Sequence, residues 1–214
     1  MDTKIDLNHF ISFEGIDFSG KSTQISMLQE FLTGKGLKVY VLREPGGTIL
    51  SEQIREILLD NKHSNMTAIA EIFLYSAARN QLLQERILPL LSKGYFILAD
   101  RYVDSTTAYQ GYGRQLNLEM VRQINLAATE GILPGITIYL EVSPPIAADR
   151  LTVSRKTADR LEEQGIEFYE RVFQGYKEIC NKNASRLYKI DGSLSVNQVH
   201  RQILKLLKSK ITGL

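Results

Sequence analysis

Residues 15–22 constrain the fold of this chain more than any other stretch. Their sequence, GIDFSGKS, satisfies the pattern G-x-x-x-x-G-K-[ST] and stands between an apolar run at 9–15 and a helical pattern that begins at Lys21. A strand, such a loop and a helix in this order predict a phosphate-binding loop, because the glycines let backbone N–H groups and the helix N-terminus face a phosphate. A glycine turn that matches the pattern by chance is the alternative.

Strands alternate with helices along the rest of the chain. Short apolar runs predict five strands, at 9–15, 38–44, 95–100, 136–142 and 186–191. Apolar residues at helical spacing predict helices at about 21–35, 50–58, 67–92, 104–110, 117–130 and 196–206, with a further helix starting at the double proline 144–145. This alternation predicts an α/β fold, with a parallel sheet covered on both faces, in a single domain over 1–214.

Composition argues against several classes of partner. Lysine and arginine number 26 and aspartate and glutamate 24, so the excess of two is too small to indicate a nucleic acid or a membrane surface. The apolar runs are shorter than the ~18 residues of a membrane span. The single cysteine, Cys180, cannot form an intramolecular disulfide, and no targeting leader precedes the first strand. We therefore expect a cytoplasmic protein in which Cys180 serves packing.

Two adjacent charged residues end the third predicted strand. Asp100 stands where many P-loop proteins keep the carboxylate that holds Mg²⁺, directly or through water. Arg101 follows at the sheet edge where α/β proteins bind ligands, so it is suited to a second phosphate. A surface ion pair is the alternative. GTPases are disfavoured because the guanine-reading N-K-x-D is missing from the nearest strings, NKHS and NKNA. A kinase of small phosphorylated molecules remains.

The sequence resembles the thymidylate kinases, the bacterial dTMP kinases among the nucleoside monophosphate kinases. The matching segments cover nearly the whole chain: FISFEGIDFSGKSTQ, LREPGGT, YSAARNQ, ADRYVDSTTAYQG, YLEVSPP and DRLEEQGIEFYERVFQGY. REPGG and DRYxxSxxAYQG are the most specific, whereas an adenylate kinase would show a G-x-P-G-x-G-K loop. The resemblance implies a three-layer P-loop kinase fold with a five-stranded parallel sheet and a lid at about 149–165. A plain solvated helix pair is the alternative for that charge-rich stretch.

The resemblance implies transfer of a phosphate from ATP, with Mg²⁺, to dTMP, giving dTDP for dTTP biosynthesis. Two alternatives stay open: a kinase of another nucleoside monophosphate or nucleoside, and a non-catalytic nucleotide switch on the same fold. Members of the family are usually homodimers, and the apolar helix faces around 49–92 would supply the interface.

Residue by residue, the resemblance implies a donor site in the loop. The residues that would hold the ATP phosphates are Gly15, Ile16, Asp17, Phe18, Ser19, Gly20, Lys21, Ser22 and Thr23. Lys21 would reach the outer phosphates, and Ser22 and Asp100 would hold Mg²⁺. Asp17 would also lie near the 3′-hydroxyl of the acceptor sugar, with stabilisation of the turn as the alternative.

The resemblance also implies an acceptor site. Its expected residues are Asp17, Glu44, Pro45, Arg55, Tyr75, Arg79, Arg101, Ser105, Thr106, Tyr109 and Gln110. Arg101 and Arg55 would bind the dTMP phosphate, Tyr75 would stack on thymine and Arg79 would hydrogen-bond the base. Ser105 and Thr106 would lie against the base, and Tyr109 and Gln110 would lie against sugar and base. Most relatives carry phenylalanine in place of Tyr75, so the contact of its hydroxyl stays open.

The family divides by whether a catalytic arginine sits in the phosphate loop or in the lid. The loop of this chain, Asp17-Phe18-Ser19, contains no arginine, so the lid is expected to supply one. Arg155 is the first candidate, with Arg150 and Arg160 as alternatives because the length of the lid varies. The expected catalytic residues are therefore Lys21, Arg101 and Arg155.

Overall fold

The five strands form one parallel sheet. The computed structural model describes residues 5–154, 160–161 and 164–214. The strands are β1 (Phe10–Glu14), β2 (Val39–Arg43), β3 (Phe96–Asp100), β4 (Ile136–Glu141) and β5 (Leu187–Asp191), in the order β2-β3-β1-β4-β5. All four neighbouring pairs are parallel. The prediction of five parallel strands is confirmed, and each strand is slightly shorter than its apolar run.

The helices lie between the strands, as predicted, with two differences. They are α1 (Lys21–Gly34), α2 (Ile49–Leu59), α3 (Ala68–Leu82), α4 (Leu88–Leu91), α5 (Val103–Thr106), α6 (Leu118–Thr129), α7 (Pro144–Ser154), α8 (Ile166–Lys182) and α9 (Val196–Lys210). The expected single helix at 67–92 is interrupted by a π-helical segment, Leu83–Ile87. Helix α8 was not predicted, although Phe168, Val172, Tyr176 and Ile179 form a buried face along it.

Side chains alternate between the two faces of the sheet. Along β1, Ile11 and Phe13 pack with α1 and α9, whereas Phe10 packs with α3 and α4 on the other face. The sheet is therefore the middle of three layers. No helix in the described ranges is long and apolar enough to cross a membrane.

The alternation in β1 also explains where its last residue lies. Glu14 is on the same face as Phe10 and Ser12, and it is fully buried. Because the carboxyl ends of parallel strands share one edge, Glu14 lies near the turn that follows β3.

A second π-helical segment, Thr107–Gly113, continues α5. It carries Tyr109 and Gln110, both expected in the acceptor site, and both are buried. π-Helical turns are frequent at functional sites.

Candidate active site

Two glycines of the loop between β1 and α1 have backbone angles that residues with a side chain rarely adopt. Gly15 has a φ of 140°, and a Cβ there would lie 2.7 Å from the carbonyl oxygen of Leu140. Gly20, the N-cap of α1, is left-handed with a φ of 96°. Lys21 lies back along the loop, where Nζ donates to the carbonyl oxygens of Gly15 at 3.2 Å and Ile16 at 3.0 Å. The loop thus has the curled backbone and inward lysine of a phosphate cradle.

A large cavity opens in front of this loop. Its volume is about 650 Å³, and residues 17–24 line it together with Arg150, Gly192 and Val196. Arg150 donates to the carbonyl oxygens of Phe18 at 3.1 Å and Gly192 at 2.9 Å, and so ties α7 to the loop. We call this space the donor cavity.

Ser22 and Asp100 come together in the lining of the donor cavity. The hydroxyl of Ser22 donates to Oδ2 of Asp100 at 2.9 Å, although 78 residues separate them. Mg²⁺ in nucleotide sites uses one or two protein oxygens beside waters and phosphates, so this pair suffices as a donor set. No cluster of three or more His, Cys, Asp or Glu with metal-ligand geometry occurs among the described residues.

Arg101 is held in an unusual conformation at the end of β3. Its φ is 76°, which is uncommon for a residue with a side chain and is often found at functional sites. Nη2 donates to Oδ1 of Asp17 at 2.7 Å and to the hydroxyl of Tyr109 at 3.0 Å. Nη1 donates to the carbonyl oxygen of Gly15 at 2.8 Å and to the hydroxyl of Ser105 at 3.1 Å. The guanidinium thus joins the loop to the residues that follow β3.

Asp17 is the anion beside this guanidinium. Burial tends to raise its pKa, but the charges of Arg101 and Lys21 outweigh burial and lower the pKa to about 2. The hydroxyl of Tyr109 donates to Oδ2 of Asp17 at 3.0 Å. Asp17 is therefore an ionised hydrogen-bond acceptor near neutral pH.

Glu14 is a buried carboxyl group of the site that was not predicted from the sequence. Its Oε1 accepts the backbone N–H of Tyr102 at 2.7 Å, and Oε2 accepts the hydroxyls of Ser105 at 2.6 Å and Tyr176 at 3.0 Å. The first contact fixes the turn in which Arg101 is left-handed, since Tyr102 is the next residue. In the sequence, Glu14 is recognisable only as a single acidic residue at the end of an apolar strand.

Replacing Glu14 with glutamine is expected to change how stability depends on pH. Burial, with the charge of Asp104, raises the pKa of Glu14 from 4.5 to about 7. A group whose pKa is higher in the folded chain contributes stability below its unfolded pKa and loses it as pH rises through the folded value. The stability advantage of wild type over Glu14→Gln should therefore shrink between about pH 5 and about pH 8. Urea unfolding of wild type and Glu14→Gln at both pH values measures the difference in unfolding free energy. A difference that does not change with pH would contradict the raised pKa of Glu14.

A second, smaller cavity of about 90 Å³ adjoins the first. We call it the acceptor cavity. Four residues line both cavities, namely Asp17, Glu44, Arg55 and Arg101. The remaining lining residues are Pro45, Leu59, Tyr75, Arg79, Ser105, Thr106, Tyr109, Gln110 and Leu161. All eleven residues expected in the acceptor site thus line one cavity, and it meets the phosphate loop at Arg101 and Asp17.

Arg79 is buried more deeply than a residue that only contacts a ligand. It is 2% exposed, and its guanidinium donates to Glu44 at 2.7 Å, Thr106 at 2.9 Å and Asn125 at 3.3 Å, and to the carbonyl of Tyr102. Burial and the neighbouring Arg79 act on the pKa of Glu44 in opposite directions, and burial prevails and raises it. Arg79 thus fixes the wall of the acceptor cavity, and base recognition by it stays a prediction.

The lid arginines differ in their surroundings. Arg160 is 4% exposed, forms an ion pair with Glu71 at 2.7 Å and donates to the carbonyl of Leu58 at 2.7 Å. Arg150 lines the donor cavity, as described above. Arg155, the first candidate, lies outside the described residues. Of the two described lid arginines, only Arg150 lines the space in front of the phosphate loop.

The sheet is parallel with the order β2-β3-β1-β4-β5, and it carries a phosphate loop at the carboxyl end of β1. The donor and acceptor cavities meet at Arg101, whose backbone is left-handed. This fold and site define a P-loop kinase of a small phosphorylated molecule. Comparison with known families makes this specific. The family model described as thymidylate kinase matches residues 13–203, and the chain belongs to that family.

Individual relatives match over almost their full length. The thymidylate kinase of Chlorobaculum parvum is 46% identical over 207 residues, which cover 93% of this chain and 95% of the relative. That of Caldanaerobacter subterraneus subsp. tengcongensis is 44% identical over 95% of this chain and 97% of the relative. That of Kosmotoga olearia is 42% identical over 92% of this chain and 93% of the relative.

Proposed function

We propose that this protein phosphorylates dTMP to dTDP with ATP, in the biosynthesis of dTTP. The observation that carries the proposal is the meeting of two cavities at Asp17 and Arg101, one headed by a phosphate loop and the other lined by the acceptor residues. The relatives at 40–46% identity bear the name of this activity. Nothing in the site favours the alternative kinases or a nucleotide switch.

The acceptor phosphate is itself the nucleophile. Its second pKa is about 6, so it is mostly ionised at neutral pH and needs no general base. The obstacle is repulsion between two anions that approach in line. Lys21 on the donor side and Arg101 on the acceptor side offset this repulsion from fixed positions, since both are anchored to the carbonyl of Gly15.

Ser22 and Asp100 would hold Mg²⁺ at the donor phosphates. When bound, the ion supplies charge neutralisation and fixes the geometry of the phosphate chain. The chain's own contribution is to keep both oxygens at one point, since the Ser22 hydroxyl already donates to Asp100.

The acceptor cavity would bind dTMP with the phosphate at one end of the cavity and the base at the other. Arg55, whose Nη1 donates to the carbonyl of Pro45 at 3.0 Å, stands with Arg101 at the phosphate end. Tyr75 would stack on the base, and the ring of Tyr109 would lie against the sugar. A bulky ring near the 2′ carbon favours deoxyribose over ribose.

A coupled assay of ADP production tests the proposal. Purified protein with ATP and Mg²⁺ would be given dTMP, dUMP, UMP, CMP, AMP or thymidine in separate reactions. We expect rapid ADP production with dTMP and much slower production with the ribonucleotides and thymidine. Preference for another acceptor would reassign the substrate. ADP production that needs no acceptor would indicate an ATPase or switch.

We further propose that the protein acts as a homodimer through α2 and α3. Large apolar side chains are exposed on these helices, among them Ile49 at 83% and Phe73 at 56%, with Leu50, Ile57 and Ile69. Apolar side chains clustered on neighbouring helices mark an interaction surface more often than chance exposure. A second copy of the chain would cover them.

Phe73→Asp is expected to convert the dimer to a monomer, because a carboxylate would be buried without a partner in the interface. Light scattering after size-exclusion chromatography measures the mass. The matched control is Ile166→Asp, which introduces the same charge at a 54% exposed apolar residue on α8. If wild type is a monomer, or if Phe73→Asp remains a dimer, the proposed interface is wrong.

A further inference from the structure

Glu71 is a fully buried carboxylate on α3 that the proposed mechanism does not use. It is 0% exposed, and three cationic or amide groups converge on it. Oε1 accepts Nε2 of Gln110 at 2.9 Å and Nε of Arg114 at 3.1 Å. Oε2 accepts Nη2 of Arg114 at 3.0 Å and pairs with Nη2 of Arg160 at 2.7 Å.

The two arginines keep this carboxylate charged. Burial raises the pKa of Glu71, but the hydrogen bonds from Arg114 and Gln110 outweigh burial, so the pKa is below its usual value. An ionised carboxylate only accepts hydrogen bonds. It therefore selects the amide nitrogen of Gln110 and excludes its oxygen, whatever ligand is present.

The orientation of Gln110 matters because this residue lines the acceptor cavity. Because Nε2 donates to Glu71, the amide nitrogen is turned toward that carboxylate, and the amide oxygen is the acceptor that this side chain offers to a ligand. Among the hydrogen bonds of the described residues, none is donated to that oxygen. A base in this cavity thus meets an acceptor at position 110.

Pyrimidine bases differ in what they offer to such an acceptor. Thymine and uracil carry a hydrogen on N3 and so donate. Cytosine has a lone pair on N3 and so repels the amide oxygen. A site built to hydrogen-bond an N–H group discriminates strongly against analogues that lack it.

We propose that Glu71 is a positioning residue for base selection: it holds the amide of Gln110 so that its oxygen faces the base, and the site accepts N3–H pyrimidines and rejects cytosine. In this proposal, Arg160 of the lid pairs with Glu71 and does not bind the transferred phosphate. The inference rests on the proposed dTMP kinase function, which it deepens.

The test is the substrate preference of Glu71→Gln. Glutamine has nearly the same shape, but it can present either its oxygen or its nitrogen to Gln110, so the amide of Gln110 is free to turn. We expect the kcat/KM ratio of dTMP to dCMP to fall by roughly 10-fold to 100-fold, the range set by one buried polar group without a partner. The ratio of dTMP to dUMP should stay unchanged, because uracil also has N3–H.

Two further variants make the result specific. Glu119→Gln removes an exposed carboxylate that pairs with Arg122 on α6, and it should leave both ratios unchanged. The double variant Glu71→Gln, Gln110→Glu exchanges carboxylate and amide, and so again places an acceptor oxygen toward the base. It should retain the preference for dTMP over dCMP, and it provides a test if Glu71→Gln does not fold.

The outcomes separate the inference from the function on which it rests. If wild type does not phosphorylate dTMP, the proposed function is wrong. If wild type does, but folded Glu71→Gln keeps its dTMP to dCMP ratio, only the role of Glu71 is wrong. Equal losses with dTMP, dUMP and dCMP would indicate a structural role and overturn the inference. An exchange variant that folds but loses the preference would also overturn it.

Discussion

Arg101→Ala is expected to lower kcat/KM for dTMP by about 10³-fold or more, roughly 4 kcal/mol of transition-state stabilisation. Arg101 carries positive charge to the point where the two cavities meet, and it holds Asp17 at 2.7 Å. Without the guanidinium, the anion of Asp17 would face the incoming dTMP phosphate with less compensation. The variant therefore loses attraction and gains repulsion at the same position.

Arg101→Lys separates charge from geometry. Lysine restores the positive charge but not the planar fork, in which Nη1 contacts Gly15 and Ser105 while Nη2 contacts Asp17 and Tyr109. We expect it to recover only part of the lost activity. Arg122→Ala, which removes an exposed arginine paired with Glu119, is the matched control and should behave as wild type. Steady-state kinetics within tenfold of wild type for folded Arg101→Ala would contradict the assignment.

The local part of this structure was predictable from the sequence. Strands β1, β3 and β4 are almost fully buried apolar runs, and such short continuous runs differ from the spaced apolar positions of the surrounding helices. The phosphate loop is equally local, since its pattern spans eight residues and needs only a strand before it and a helix after it. Helix α8 was not predicted because the charged residues between its apolar positions continue the charge-rich stretch that precedes it.

Buried polar networks were not predictable, because their partners are distant in sequence. Glu14 meets Tyr176 across 162 residues, and Glu71 meets Arg160 across 89. A charged residue in a sequence gives no sign of which opposite charge will compensate it. The expected acceptor residues, and residues 17–23 of the loop, line two adjoining cavities, whereas Gly15 and Ile16 line neither and Arg155 lies outside the described residues. The contacts that orient the site, such as that of Glu14 with Ser105, come only from the folded chain.

Arg155→Ala is the second variant with a large expected effect. The phosphate loop supplies Lys21 but no arginine, so an arginine that stabilises the transferred phosphoryl group would come from elsewhere in the chain. An arginine in this role is worth about 10³ to 10⁵ in rate. We expect Arg155→Ala to lower kcat by that range while KM for dTMP changes much less, because the interaction forms only in the transition state.

The three lid arginines should give three different kinetic signatures. Arg150 binds two backbone carbonyls beside the donor cavity, so Arg150→Ala should mainly raise KM for ATP. Arg160 is committed to Glu71, so Arg160→Ala should weaken the preference for dTMP over dCMP and leave kcat with dTMP less affected. Only Arg155→Ala should lower kcat without either effect. If kcat falls by 10³-fold in Arg150→Ala and not in Arg155→Ala, the catalytic arginine is the one that already lines the donor cavity.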